Sequence, residues 1–396
     1  MESRVRIAAV MRRESADAPH SLATPFTPQR AALIGLGAEH HEPGESSLEE
    51  LARLVQTAGA IPVLRILQER SRPHAATFLG RGKVKELGKA CKEHKISVVI
   101  ADGELSPAQR GNIEDIVQCG VIDRTQLILD IFARRARSSE GKLQVELAQL
   151  RYLLPRLVGF GQVLSRLGGG IGTRGPGETK LETDRRRIHR RLSVVQRQIE
   201  HVRRRRAQLR ARRTKRQLLT VALVGYTNAG KTTLFNRLTG DHAVASDALF
   251  VTLDPLVRRL RLSDRRMVLC SDTVGFLDRL PHTLLAAFRA TLEEVADADL
   301  VVHVCDSSSP FKDEHSKAVQ EVLTEIGADT VPCVVVWNKS DLITREESRR
   351  IRLREPGSVC LSAIDTASGP VALRVIEKAL KRTAAGFHYC ETGRTA

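Results

Sequence analysis

Apolar residues gather into short blocks from about residue 31 onward, and the polar stretches between the blocks keep a helical rhythm. AALIGL, IPVLRIL and ISVVIAD are compact apolar runs of strand length. SLEELARLVQTAG, KVKELGKACKEH and PAQRGNIEDIVQ instead carry apolar residues at intervals of three and four. Strands alternating with amphipathic helices predict a parallel sheet covered by helices. A second series of the same kind starts near residue 218 with LLTVALVG, which reads as a buried strand. LVRRLRL, RMVLCSD, LVVHVCD and VPCVVVWN continue it, and helices are expected near 281–297, 311–327, 343–352 and 370–382.

Between the two series the rhythm changes. Leu143, Leu147, Leu150, Leu154 and Leu157 recur at spacings of four and three, and so do Ile188, Leu192, Val195, Ile199 and Val202, with Leu209 in phase beyond. Such a repeat is the seam of a coiled coil, and two seams joined by a loop predict an antiparallel helical hairpin. Its second arm would be roughly 45–50 Å long, and Pro155 is expected to kink the first. The chain therefore divides into a flexible tail over 1–28, an α/β domain over 29–139, a hairpin over 140–217, a second α/β domain over 218–385 and a tail over 386–396.

GIGTRGPGET, Gly170–Thr179, imitates the spacing GxxxxGK[ST] of a phosphate-binding loop, but Glu178 stands where that loop needs lysine. A carboxylate there opposes phosphate, and no apolar strand precedes it. The segment reads instead as the tip of the hairpin, a turn or a loop that touches a partner.

The hydrophobic fraction of 42% is that of a folded chain. No apolar run approaches the ~18 residues of a membrane span, and residues 1–28 lack a secretory apolar stretch. The seven cysteines are scattered without a CxxC pair, as in reduced cytoplasmic proteins. The net charge is +17, and residues 185–216 hold fourteen arginines, one lysine and a single acid, Glu200. So dense a cationic stretch suits a polyanion, though a solvated helix face is the alternative and DNA would satisfy it as well as RNA. The stretch has no aromatic residue, so phosphate contacts rather than base stacking are expected.

GYTNAGKTT follows the first strand of the second series. Gly225, Gly230, Lys231 and Thr232 complete GxxxxGK[ST], with Tyr226, Thr227, Asn228, Ala229 and Thr233 as the rest of the loop. Backbone N–H groups cradle the β-phosphate, the lysine reaches the β- and γ-oxygens, and the threonine hydroxyl serves Mg²⁺. At the end of RMVLCSD, Asp272, Thr273, Val274 and Gly275 form DxxG, in which Asp272 holds Mg²⁺ through water and the Gly275 N–H meets the γ-phosphate. NKSD follows VPCVVVW. Asp341 can accept from the ring N–H and the exocyclic amine of guanine, a pattern adenine lacks. Asn338 either bonds the ring edge or braces the phosphate loop, and the Lys339 stem can cover a ring face. Ser362 and Ala363 stand where backbone meets the guanine oxygen, within SAI in place of the usual SAK. In ALFVTLDP, Phe250 and Val251 lead to Thr252, a switch threonine that joins Mg²⁺ and the γ-phosphate in the triphosphate state alone. Mg²⁺ thus has Thr232, Thr252 and Asp272, and catalysis has Lys231, Thr252 and Gly275. Where Ras-like GTPases often place a water-orienting glutamine after DxxG, this chain has Phe276, which offers water no hydrogen bond.

These motifs, with FLGRGKVKEL, VIDRTQLILDIFARRARSSEGKLQVELAQL and GGGIGTRGPGETKLETDRRRI, resemble the HflX family of translation-factor-related GTPases over roughly residues 30–385. The resemblance implies an N-terminal α/β domain with a long antiparallel helical hairpin, followed by a Ras-like P-loop GTPase domain. It implies a cytoplasmic, monomeric GTPase without stable membrane insertion that turns GTP into GDP and phosphate. Members act on the large ribosomal subunit and split stalled or idle ribosomes, with the glycine loop toward the peptidyl-transferase region. Ribosomal RNA is thereby chosen as the polyanion, with Arg174, Arg185, Arg203, Arg204, Arg205 and Arg206 as contacts. Related GTPases with an asparagine at the position of Asn228 use K⁺, so K⁺ is an expected second ion there, against a simple loop-stabilising hydrogen bond. Some members use ATP through the N-terminal half, for which Gly80, Gly82 and Lys83 are the residues to weigh against a role in fold or RNA contact. A GTPase of ribosome assembly, or an RNA-binding module that uses nucleotide as a structural switch, are the alternatives.

Overall fold

The computed structural model describes residues 28–37, 43–165, 176–215, 218–241, 243, 248–277, 284 and 292–384. The chain forms two compact units, the first ending at Ile128 and the second starting at Leu129. Both tails and most of the glycine loop, Arg174 included, lie outside the described residues.

In the first unit β1 (Arg30–Gly37), α1 (Pro43–Thr57), β2 (Ile61–Glu69), α2 (Arg81–Glu93), β3 (Val98–Ala101), α3 (Pro107–Val117) and β4 (Gly120–Asp123) alternate as expected. The strands form a parallel sheet in the order β2-β1-β3-β4. Its core gathers Ile34, Leu79, Val84, Leu87, Val99, Ile113 and Val121. A capping box of Ser106 and Gln109 starts α3. The strand β4 went unpredicted because its four residues are too few to show a pattern. It leads directly into α4 (Arg124–Arg135), which crosses the unit boundary.

The second unit carries the two long helices α5 (Ser139–Ser165) and α6 (Pro176–Lys215). They run antiparallel: Arg191 pairs with Glu146 at 3.0 Å, and Arg206, farther along α6, pairs with Glu140, earlier on α5. Leu147, Leu150, Ile188, Leu192 and Val195 of the seam are buried, whereas Leu143, Leu154, Leu157, Ile199 and Val202 are half-buried. On α5 burial extends to Gln144, Val145, Ala148 and Tyr152. The helix is thus covered round more of its circumference than a seam alone requires. Pro155 lies within α5 without ending it.

The sheet of the second unit has the order β10-β9-β8-β5-β7-β6. Its members are β5 (Thr220–Val224), β6 (Leu256–Arg261), β7 (Met267–Asp272), β8 (Leu300–Asp306), β9 (Cys333–Asn338) and β10 (Val359–Cys360). All neighbours pair in parallel except β6 with β7. Successive residues of β5 enter opposite cores. Val221 and Leu223 pack with α7 (Lys231–Thr239) and α10 (Ser368–Ala384), while Ala222 and Val224 pack with the helical residues 292–296 and α8 (Lys312–Glu325). Helix α9 (Arg345–Arg354) precedes β10. Of the helix expected near 281–297, residues 284 and 292–296 are helical, and most of the remainder lies outside the described residues. In such a doubly wound sheet ligands bind at the carboxyl ends of the strands where the winding reverses. Here that point is β5, between β7 and β8.

Candidate nucleotide-binding site

A cavity of about 580 Å³ opens at the carboxyl end of β5, a size that suits a nucleotide. Its lining includes Thr227, Asn228, Gly230, Lys231, Thr232 and Thr233 from the phosphate loop, and Phe250, Val251 and Thr252 from the segment after it. Thr273 and Gly275 follow β7, and Asn338, Lys339, Asp341, Ser362 and Ala363 complete the expected set. Gly225, Tyr226, Ala229, Asp272 and Val274 do not line it. The Tyr226 ring instead stacks on His315 at 3.8 Å, and both Tyr226 and Val274 are buried.

The phosphate end is built around two buried charges of opposite sign. Helix α7 starts at Lys231, so its unpaired N–H groups and positive end face the cavity. Lys231 Nζ donates to its own loop, to Gly225 O at 3.1 Å and Tyr226 O at 2.8 Å. Burial pushes its pKa down to about 8, against the pull of the Asp272 carboxylate. Burial likewise raises the Asp272 pKa, against Lys231 and the threonine hydroxyls that bond it. Each shift marks a charge that has lost water and lacks a full counter-charge. A phosphate supplies that on the lysine side and a cation on the carboxylate side.

The cation position is legible atom by atom. Thr232 Oγ1 and Thr252 Oγ1 both donate to Asp272 Oδ2, at 2.8 and 3.0 Å, and lie 2.9 Å from each other. The other carboxylate oxygen, Asp272 Oδ1, is buried without a hydrogen-bond partner, as are Thr227 Oγ1 and Ser362 Oγ of the cavity wall. An orphaned buried oxygen is costly unless a ligand completes it. Two hydroxyls and a carboxylate are hard oxygen donors of the kind Mg²⁺ takes. The residues present therefore fit Mg²⁺.

Gly275 lies against this group: a Cβ there would come within 3.0 Å of Lys231 Nζ. Phe276 does not face the cavity. Its ring is buried in the core beside Tyr226 and Val295. Its backbone N–H donates to Gly225 O at 3.1 Å, and its carbonyl accepts from Thr227 N at 2.7 Å. The residue after DxxG thus staples the phosphate loop to the end of β7.

At the base end Asn338 takes the bracing role. Nδ2 donates to Ala229 O at 2.9 Å and Oδ1 accepts from Ala363 N at 2.8 Å, so one side chain ties three loops together. Lys339 sits at φ 59° and its ammonium pairs with Asp306 at 2.6 Å, which holds its stem at the cavity wall. Three lining residues escaped the sequence reading: Ala248, Leu342 and Ile364. Leu342 and Ile364 are 65% and 68% exposed, uncommon for residues of their size. Each directly follows an expected residue, Asp341 or Ala363, and together they give the base end an apolar rim. Ile364 of SAI, which stands in place of the usual lysine of SAK, is part of that rim.

The arginines of α6 divide into two groups. Arg203 bonds Glu293 at 3.1 Å, and Arg206 reaches Glu140 at 2.8 Å and Glu294 at 3.3 Å. These side chains serve the protein itself. Arg185, Arg204 and Arg205 are exposed, as is Arg203, and Arg204 pairs with Glu200 of its own helix at 3.5 Å. No helix among the described residues is long and apolar enough to cross a membrane.

Three family descriptions match the chain in succession: GTP-binding GTPase N-terminal over residues 45–133, GTP-binding GTPase Middle Region over 135–213, and 50S ribosome-binding GTPase over 220–339. The GTPase HflX of Caldanaerobacter subterraneus subsp. tengcongensis is 50% identical over 80% of this chain and 73% of its own. That of Escherichia coli strain K12 is 48% identical over 84% of this chain and 79% of its own. A crystal structure of a GTP-binding protein from the hyperthermophilic archaeon Sulfolobus solfataricus in complex with GDP is 24% identical. It covers 89% of this chain and 99% of that one, with a TM-score of 0.46.

Proposed function

The chain belongs to the HflX family of GTPases, and from that premise we propose that it docks on the large ribosomal subunit in its GTP form and separates the subunits of stalled or idle ribosomes. It is a GTP-hydrolysing enzyme, and the ribosomal part of the reading is carried by the match of residues 220–339 to a 50S ribosome-binding GTPase. The exposed Arg185, Arg204 and Arg205 of α6 support it, because they offer cations to RNA phosphates.

The roles of the chain's own residues follow from the site. Lys231 and the start of α7 neutralise the β- and γ-phosphates. Asp341 selects guanine and Asn338 keeps its loop in register with the phosphate loop. Thr232, Thr252 and Asp272 would hold Mg²⁺, which when bound offsets negative charge on the β- and γ-phosphates. Thr252 reports the presence of the γ-phosphate. With the Phe276 ring in the core, the attacking water is placed by the docked partner, or by backbone and another residue. Docking would order the switch segments around it, and hydrolysis would release the protein.

Single-turnover hydrolysis with and without purified large subunits tests the coupling, and sedimentation of whole ribosomes with GTP tests the splitting. Turnover is expected to rise on adding large subunits, by at least about tenfold, equivalent to ~1.4 kcal/mol of barrier. The Thr252→Ala variant should lose most of that rise and still bind GDP. A free protein as fast as the saturated complex would refute the coupling. Stimulated turnover without subunit separation would favour a role in ribosome assembly.

A further inference from the structure

The switch threonine is held from one side by α4 and from the other by the foot of the hairpin. Two residues before Thr252, the Phe250 ring meets Phe132 of α4 edge-on, with centroids 4.7 Å apart and planes at 83°, and both rings are buried. Two residues after it, the Asp254 carboxylate accepts the backbone N–H groups of Arg137 at 3.0 Å and Ser138 at 2.8 Å, together with the Ser138 hydroxyl. These donors stand at the entry to α5, where N–H groups have no partner within the helix. Ser138 Oγ in turn accepts the Gly141 N–H at 2.8 Å, so Ser138 caps α5 and Asp254 holds the cap. Residue 141 must be small for this contact, because a Cβ there would come within 2.3 Å of Asp254 Oδ1.

Between these anchors the Thr252 hydroxyl reaches Asp272 and Thr232 at the cation position. Residues two apart span at most about 7 Å. Thr252 therefore cannot withdraw far from that position while both Phe250 and Asp254 keep their partners. The same foot is tied to the segment beyond DxxG, through Arg206 between Glu140 and Glu294.

We infer that Asp254 is a positioning residue that couples Thr252 to the hairpin, so that the γ-phosphate is read at the first turn of α5. The inference rests on the GTPase reading of the cavity and not on ribosome docking. Linkage makes the coupling reciprocal: whatever steadies the hairpin foot also favours the state in which Thr252 is engaged.

Hydrogen exchange of the full-length protein, without ribosomes, tests it. The amides of residues 137–141 are followed with GDP and with a non-hydrolysable GTP analogue, and affinities for both nucleotides are measured in parallel. In the wild type these amides should exchange about tenfold more slowly with the analogue than with GDP, a typical size for one coupling contact. Asp254→Ala should abolish the difference and leave GDP affinity unchanged, since Asp254 does not touch the cavity. Asp254→Asn, which keeps a capping oxygen, should retain part of it. Gly141→Ala tests the same contact from the hairpin side with a residue that favours helix, and should shrink the difference as well. A difference that persists unchanged in Asp254→Ala or in Gly141→Ala, or one that is absent from the wild type, overturns the proposal. Because no ribosome is present, neither outcome depends on ribosomal docking.

Discussion

His303 lies in the middle of β8, buried, with its Nε2 3.3 Å from Cys305 Sγ. Burial, reinforced by the charge of Lys231, pushes its pKa down to about 4, against about 6.5 in an unfolded chain. Between those values the unfolded chain binds a proton that the folded chain refuses. Stability therefore rises with pH through this window and falls as pH drops from 6.5 toward 4, while above 6.5 the group contributes no pH dependence. Replacing His303 by leucine should reduce the loss of stability between pH 6.5 and 4.5 by about 2 kcal/mol. Urea unfolding at the two pH values measures it, and equal losses in wild type and variant would count against a neutral buried imidazole. Phe276 makes the same point about context. From its position after DxxG it reads as a missing catalytic group. In the fold its ring fills the core and its backbone staples the phosphate loop.

At the scale of elements, α6 is both a structural strut and a candidate RNA contact, and the two duties fall to different side chains. Arg203 and Arg206 meet carboxylates of α5 and of residues 293–294, whereas Arg205 is exposed and the exposed Arg204 pairs with Glu200 of its own helix. Replacing Arg204 and Arg205 together with glutamine should lower affinity for large subunits. It should also flatten the slope of log K against log salt by about 1.5, since each phosphate contact contributes ~0.7–0.9. Replacing Arg203 and Arg206 should leave that slope nearly intact and weaken the attachment of the hairpin instead. A salt titration of binding for the two double variants distinguishes them. If the slope changes only with Arg203 and Arg206, the assignment is reversed.

At the scale of the molecule, every residue that lines the cavity lies between Thr227 and Ile364, inside the unit that starts at Leu129. Nucleotide should therefore stabilise that unit and leave the first unaffected. At a GDP concentration about 100 times its Kd, the gain is ~2.7 kcal/mol. Calorimetry of the full chain should resolve two transitions, of which GDP raises one alone. A single transition that moves as a whole would mean that the two units unfold together.

The amino-acid sequence by itself determined the two α/β series and the residues that gather at the carboxyl end of β5. GxxxxGK[ST], DxxG and NKxD each lie in one loop at the end of one apolar strand, and Thr252 joins them from a segment of its own. Residue type and spacing then suffice to place Lys231, Thr232, Asp272 and Asp341. The buried strand β5 and the hairpin seam were legible for a similar reason, since an apolar run and a helical repeat are local properties. Tertiary structure decided what depends on partners far along the chain. The strands β4 and β10 are too short to announce themselves and exist through their parallel neighbours. Asn338 braces Ala229 across 109 positions. Asp254 meets the start of α5 across 116 and 117, and Arg203 reaches Glu293 across 90. Nothing in the spacing of these residues marks them as pairs. A carboxylate after a switch threonine or an arginine in a basic helix has many possible partners, and only the packing of the fold selects one.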